Sequence, residues 1–404
     1  MKSLLYLLLP AFLLVACDEN IVIKEGQPIP LKAGMDKKVQ QDNAFSFELL
    51  RQVIATSTEK NVFISPLSVS IALGMARNGA DTETLREMEK ALKMSGMTDE
   101  QINEYYKIML ESLPGVDEST KLNIANSLWY RIGFPVKEPF LQINKDYFNA
   151  EVRGLDFSKE SAVDVINDWC AEKTNDLIKK PLDKISSDAM LYLINAIYFK
   201  GVWSQKFDKR KTYESDFTTE TGAINKVNMM NMKDTFPYAE DDMAQYLDMP
   251  YGNKAFSMTV ILPKTGKTTA GVLKELDQDK WNEITAMLHT REVQVSFPRF
   301  KVQNKFELKT PMMNMGMKLA FTDIADFSRI SDIDLLISRI IHSTYCEVNE
   351  EGTEAAAVTI IEMELTSMPM IPYFTADRPF IFVIREKSSG VILFTAKMGS
   401  VEKY

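Results

Sequence analysis

Histidine is nearly absent from this chain: His289 and His342 are the only two in 404 residues. There is also no G-x-S-x-G elbow, H-E-x-x-H pair, P-loop or G-x-G-x-x-G turn. The usual hydrolase triads, zinc hydrolase sites and nucleotide cradles therefore lack the residues that build them. Carboxylates are plentiful, but no pair stands out from a solvated surface; histidine scarcity alone does not exclude two-carboxylate glycosidase chemistry. The net charge is -9 and no basic cluster interrupts the sequence, so nucleic acid is not an expected partner. The three cysteines, Cys17, Cys170 and Cys346, lie far apart and lack metal-ligand spacing, so no metal or cofactor is expected. Cys170 falls on an amphipathic pattern with Ile166 and Trp169, and Cys346 in a strand-like run. Both are expected as buried free thiols.

No apolar run is long enough to span a bilayer in the mature chain. The longest, Leu4 to Val15 after Lys2, reads as a secretory signal. It ends in Leu14-Val15-Ala16-Cys17, which resembles a bacterial lipobox and implies cleavage before Cys17 with lipid on its sulfur. The expectation is a signal peptide over residues 1–16 and a tether over 17–38, with a membrane partner reached through the lipid. Asp18-Glu19 resembles the acidic signal of some surface-exposed lipoproteins, so the expected location is the outer membrane, on its cell-surface or periplasmic face. No Pro/Gly/Ser-rich linker, repeat or low-complexity tract divides Gln40 to Tyr404. A single domain over 39–404 is expected, and a monomer.

What is present is a mixture. Apolar spacing predicts helices over Asn43 to Ser57, from Ser65-Pro66, from Asp81-Thr82, over Ile102 to Leu113 and over Val163 to Lys180. Strand-like runs cover Lys121 to Trp129, Met190 to Phe199, Ala255 to Leu262, Val293 to Phe297, Leu335 to Ile341, Phe380 to Ile384 and Val391 to Phe394. Helices dominate the first half and strands gather in the second, which favours α+β over a doubly wound fold.

One stretch stands apart: Glu350-Glu351-Gly352-Thr353-Glu354-Ala355-Ala356-Ala357-Val358-Thr359, followed by about twenty residues of irregular composition. It can be an alanine-rich helical turn. It can equally be a strand, with Thr353, Ala355, Ala357 and Thr359 on one uniformly small face and Glu354, Ala356 and Val358 on the other. A small-faced strand slides between others without overpacking the core, and Gly352 supplies a backbone pivot.

Several segments together carry a family resemblance. Asn61-Val62-Phe63-Ile64-Ser65-Pro66-Leu67-Ser68, Leu193 to Trp203 (LINAIYFKGVW), Leu247-Asp248-Met249-Pro250-Tyr251, Ala325-Asp326-Phe327-Ser328, the stretch from Glu350, and Asp377-Arg378-Pro379-Phe380 resemble, in order, the signatures of serpins. Ala396 stands where the family commonly has glycine. The resemblance implies eight to nine helices around a large central sheet plus two further sheets, with an exposed reactive loop. It implies no catalysis by this chain. Instead a protease cuts the loop and forms an acyl-enzyme, and the cut loop enters the sheet as a new strand and traps its attacker. Serpin loop insertion is among the standard examples of strand addition and stored strain.

By the same resemblance, Glu350 with Arg299 and Trp203 form the point where the loop enters. Ser65, Ser68, Asn195 and His342 form a polar cluster under the sheet. Residues 350–359 are the hinge. The bond counted from Gly352 is Thr366–Ser367; Leu365, Met368 and Met363 are alternatives. No Arg or Lys lies between Gly352 and Tyr373. The expected targets are therefore elastase-, chymotrypsin- or subtilisin-like serine endopeptidases, or papain-like cysteine proteases. The alternative is a non-inhibitory serpin acting as a binding or chaperone-like module.

Overall fold

The computed structural model describes residues 26–352 and 371–404. Among them, in chain order, are α1 (Met35–Thr56), β1 (Asn61–Ile64), α2 (Pro66–Arg77), α3 (Thr82–Ala91), α4 (Asp99–Ser112), β2 (Lys121–Arg131), α5 (Glu138–Phe148), β3 (Ala150–Leu155) and α6 (Ser161–Lys173). There follow β4 (Leu191–Lys200), β5 (Thr212–Thr218), β6 (Ile224–Glu240), β7 (Ala244–Pro250), β8 (Phe256–Pro263), α7 (Thr269–Glu275), α8 (Gln278–Met287), β9 (His289–Pro298) and β10 (Phe300–Glu307). The chain closes with α9 (Lys309–Asn314), β11 (Ile341–Val348), β12 (Tyr373–Thr375), β13 (Phe380–Glu386) and β14 (Ile392–Met398).

The α+β expectation holds: one large sheet, two smaller ones, and helices packed around them. The nine-stranded sheet runs β1-β14-β13-β8-β7-β6-β9-β12, with β5 added to β6. Its centre is buried on both faces; every residue of β8 and β14 is buried, as continuous apolar runs require. Ala396 pairs with Phe63 and Phe382 there. The other sheets are β3-β2-β4 and β10-β11. The signature strand β4 and the strand leading to the hinge, β11, thus belong to the two small sheets rather than to the large one.

Local chemistry explains the helix starts. Ser65 caps α2 by accepting the Ser68 N–H, with Pro66 in the first turn where its missing donor costs nothing. Asp81 caps α3, and Thr98 with Gln101 forms a reciprocal box at α4. Helix α6 packs on β2 and β4 through its own small cluster of Trp129, Ile166, Trp169 and Cys170, separate from the main core. Cys170 and Cys346 are buried free thiols; burial pushes the Cys170 thiol up to about 12.

Three expectations are corrected. Helix α1 begins at Met35, so the folded body includes residues assigned to the tether. Lys38 looks like a linker residue, but its side chain is fully buried. Its ammonium pairs with Asp42 and lies over the Tyr105 and Tyr106 rings at 5.0 and 5.2 Å. Helix α6 stops at Lys173 rather than Lys180, because Asn175 and Asp176 take φ of 52° and 63°, which no α-helix accepts. The strand expected over Leu335 to Ile341 starts only at Ile341. The preceding apolar run is held by single contacts, Ile337 N–H to the Ala320 carbonyl and Ile340 N–H to Glu307.

Candidate functional site

Strands β4 and β11 are each bonded on one side only within their sheets, β4 to β2 and β11 to β10. Among the described residues no ladder joins them to each other. They are nevertheless tied together at two levels. Near one end both reach the start of α2. The Ser65 N–H donates to His342 Nε2 on β11 at 2.9 Å, and the Ser68 hydroxyl donates to Asn195 Oδ1 on β4. Asn195 in turn donates to Asn126 Oδ1 at 2.7 Å, and the Ser65 hydroxyl to the Leu393 carbonyl at 2.8 Å. All four residues singled out in the sequence meet here. His342 is buried, and burial depresses its pKa to about 4. It is neutral at pH 7, accepting at Nε2, so its proton sits on Nδ1. Asn126 is the member that sequence reasoning missed; a polar residue inside an otherwise apolar strand run was the available signal.

The other end is built from charge and an aromatic stack. The Trp203 indole donates to the Asn349 carbonyl at 3.0 Å and stacks on Tyr251 with centroids 4.4 Å apart. The Trp203 and Phe207 N–H groups donate to the Glu351 and Glu350 carbonyls. Arg299 grips the Glu350 carboxylate, Nε at 2.8 Å from both oxygens and Nη2 at 2.6 Å from Oε1. Thr212 adds a hydroxyl at 2.6 Å. The Glu350 side chain is only 1% exposed. Burial alone would raise its pKa, but the bonds from Arg299 and Thr212 outweigh it and hold the carboxyl below its ordinary range. Glu351 pairs with Lys206 at 3.4 Å and Lys209 at 3.0 Å. Thr212, Phe207 and Tyr251 come from distant segments; Tyr251 falls in one of the signature stretches, but the sequence assigns none of the three to this site.

Gly352 makes an isolated antiparallel bridge to Val202. Its φ is +130°, and a Cβ there would sit 2.3 Å from the Gly201 carbonyl oxygen and 2.6 Å from the Trp203 nitrogen. Backbone cannot retreat as a side-chain tip can, so only glycine fits. The remaining hinge residues, the candidate scissile bonds and Cys17 lie outside the described residues.

Both strands run the same way. From the α2 level to the Trp203 level β4 passes from Asn195 and β11 from His342. Two strands side by side, pinned at both levels and sharing no ladder, are an arrangement a further strand could complete. The serpin (serine protease inhibitor) family profile matches residues 40–401. The chain belongs to the serpin family. It is 35% identical to an uncharacterized serpin-like protein of Methanosarcina acetivorans over 95% of this chain and 92% of that one. It is 34% identical to the leukocyte elastase inhibitor of Bos taurus, over 91% of this chain and all of the relative. The native-state crystal structure of the thermophilic serpin tengpin superposes with a TM-score of 0.84 at 34% identity, covering 94% of this serpin and 98% of tengpin.

Proposed function

We propose that this serpin is a suicide inhibitor of serine endopeptidases of elastase-, chymotrypsin- or subtilisin-like specificity, with papain-like cysteine proteases as further targets. The observation that carries this reading is the antiparallel bridge between Val202 and Gly352. It fixes the register that a strand growing from the hinge would follow along β4. Continued downwards, the ladder sets Glu354 opposite Lys200, Ala355 opposite Phe199, Ala357 opposite Ile197 and Thr359 opposite Asn195. Directly opposed residues share a face. Phe199 and Ile197 belong to the main core and Asn195 reaches α2. The small side chains therefore land on the core face, Thr359 arrives level with the Ser68–Asn195 bond, and Glu354 meets an opposite charge. A bulky hinge would overpack there.

In chemical terms, the protease serine Oγ attacks the Thr366 carbonyl carbon. The bond to Ser367 breaks, the new Ser367 amine takes up a proton, and an ester joins the two proteins. Freed at its far end, the loop then zips into the interval. A dozen residues at about 0.5–1.5 kcal/mol net per hydrogen bond gain on the order of 10 kcal/mol, comparable with the stability of a whole domain. In this reading Arg299–Glu350 and Trp203 hold the entry shut, and Ser65, Ser68, Asn195 and His342 clasp the two halves and re-pair when they part. The protein acts as a monomer.

The test is to incubate the soluble body with elastase, chymotrypsin, subtilisin and a papain-like protease, followed by denaturing gels and peptide masses. An adduct near the summed mass with a released peptide beginning at Ser367 supports inhibition and the Thr366 bond. A peptide starting at Glu364, Thr366 or Pro369 moves the bond to Met363, Leu365 or Met368. Cleavage without adduct by every protease favours the binding or chaperone-like alternative. Anchoring through lipid on Cys17, at either face of the outer membrane, is proposed alongside. Fatty-acid labelling that disappears in Cys17→Ser supports it, and labelling that persists overturns it.

A further inference from the structure

The tether meets the folded body at the hinge end. Gly26 is pressed between two segments: a Cβ on it would sit 2.8 Å from the Val116 carbonyl oxygen and 2.7 Å from the Ala255 Cβ. The Asn253 amide beside it donates to that same Val116 carbonyl at 2.9 Å. Ile29, three residues on, is buried, and its N–H donates to the Ser388 hydroxyl at 3.1 Å. The point of entry is thus fixed to the body. The turn 251–255 that receives it also serves the hinge. Tyr251 stacks on Trp203, and the Gly252 N–H donates at 2.7 Å to the carbonyl of Val202, the residue that bridges Gly352. Two backbone-bonded steps of about 5 Å, one chain step and one contact put Gly26 within about 20 Å of Gly352.

Lys254, Lys387 and Lys121 are exposed around this point, with Glu118 as the carboxylate among them. Lys254 and Lys387 are brought together because the Lys387 N–H donates to the Ala255 carbonyl. Neither is ion-paired among the described residues. We propose that this face lies on the anionic headgroups of the bilayer that holds the lipid on Cys17. The inference rests on the anchoring proposed above, and the occupant follows from chain length. Cys17 and Gly26 are nine residues apart, at most about 32 Å of extended chain. A body of about 380 residues has a radius of gyration of about 21 Å and measures about 54 Å across. A leash shorter than the body it holds keeps the attachment side towards the membrane. Lysines are drawn to an anionic surface over about a Debye length, about 8–10 Å, so Lys254 and Lys387 act only when that side is down. The hinge end is then held beside the bilayer. The segment that starts at Gly352 meets first the proteases that work at that surface.

The experiment places the full lipidated chain in vesicles containing phosphatidylglycerol, with one fluorophore at either end of β4. Arg210→Cys labels the hinge end, where the neighbouring Lys209 pairs with Glu351. Asp188→Cys labels the opposite end, three residues before β4 begins at Leu191. Cys170 and Cys346 are buried and take no label in the folded chain. A quencher on the lipid headgroups should reduce emission from the Arg210 site at least about fivefold more than from the Asp188 site, since β4 sets the two levels about 33 Å apart. Adding Lys254→Glu and Lys387→Glu, both at exposed positions, should shrink that difference while the lipid still holds the chain on the vesicles. Equal quenching at the two sites overturns the docking face and leaves the anchor in place. A difference unchanged by the charge reversal overturns the contact with headgroups. A chain that stays off the vesicles overturns the anchoring reading itself.

Discussion

The two places where β4 and β11 are pinned use opposite chemistry. At α2 the contacts are neutral and wholly or partly buried: Ser65 to His342, Ser68 to Asn195, Asn195 to Asn126. At the hinge they are an aromatic stack and charge pairs, Trp203 on Tyr251 and Arg299 on Glu350. A neutral clasp can re-pair with new neutral partners at little desolvation cost, which suits groups that a strand must pass. A buried carboxylate cannot be left alone, so the charged end resists opening until its partner is supplied elsewhere. The comparison predicts that the hinge end sets the energy of the closed form, and that the α2 end sets its sensitivity to pH.

The largest effect should come from Trp203→Ala. It removes a buried indole and its bond to Asn349, costing about 3–5 kcal/mol by the usual range for such truncations, read as a drop in the urea midpoint. Arg299→Ala should follow, at about 3 kcal/mol, because the Glu350 carboxylate stays buried without its cation. Spontaneous conversion to an inserted, inactive form should speed up in both, visible on native gels over time. If both variants keep wild-type midpoints, the hinge end is not where the closed form is held.

The α2 end is tested by pH. His342 titrates near 4 in the folded chain and near 6.5 when unfolded. The unfolded state therefore binds the extra proton, and this contribution is complete above pH 6.5 and lost as pH falls towards 4. Between pH 6.5 and 5 the loss is on the order of 2 kcal/mol at 1.36 kcal/mol per unit. His342→Gln, which still offers an acceptor to Ser65, should flatten that slope relative to wild type; parallel slopes would remove His342 from the account. Ser68→Ala should have the smallest effect, about 1 kcal/mol, and no pH dependence of its own.

Much of this was legible in the chain, for a physical reason. Signals that live within one segment survive in sequence: the Ser65-Pro66 cap and the continuous apolar run of β8. What escaped is what tertiary contact decides. Lys38 reads as a tether residue until the Tyr105 and Tyr106 rings and Asp42 close over it. The run before Ile341 has strand composition, but the strand forms only where β10 pairs with it, from Ile341 to Val348. At the site, Arg299 and Glu350 were found through family resemblance. Thr212 was not, and Tyr251 stood only within a signature stretch with no role read for it, since their place at the site exists only once β5 and the end of β7 arrive beside the hinge.

The most direct test of the central claim needs no target protease. The loop between Gly352 and Tyr373 is nicked by any protease that cuts there without forming an adduct, and heat unfolding of the nicked and intact chains is compared. If the freed segment enters between β4 and β11 as a strand, the gain on the order of 10 kcal/mol should raise the midpoint by at least about 10 °C in a chain of this size. A nicked chain that unfolds at or below the temperature of the intact one would contradict loop insertion, and with it the account of how this serpin works.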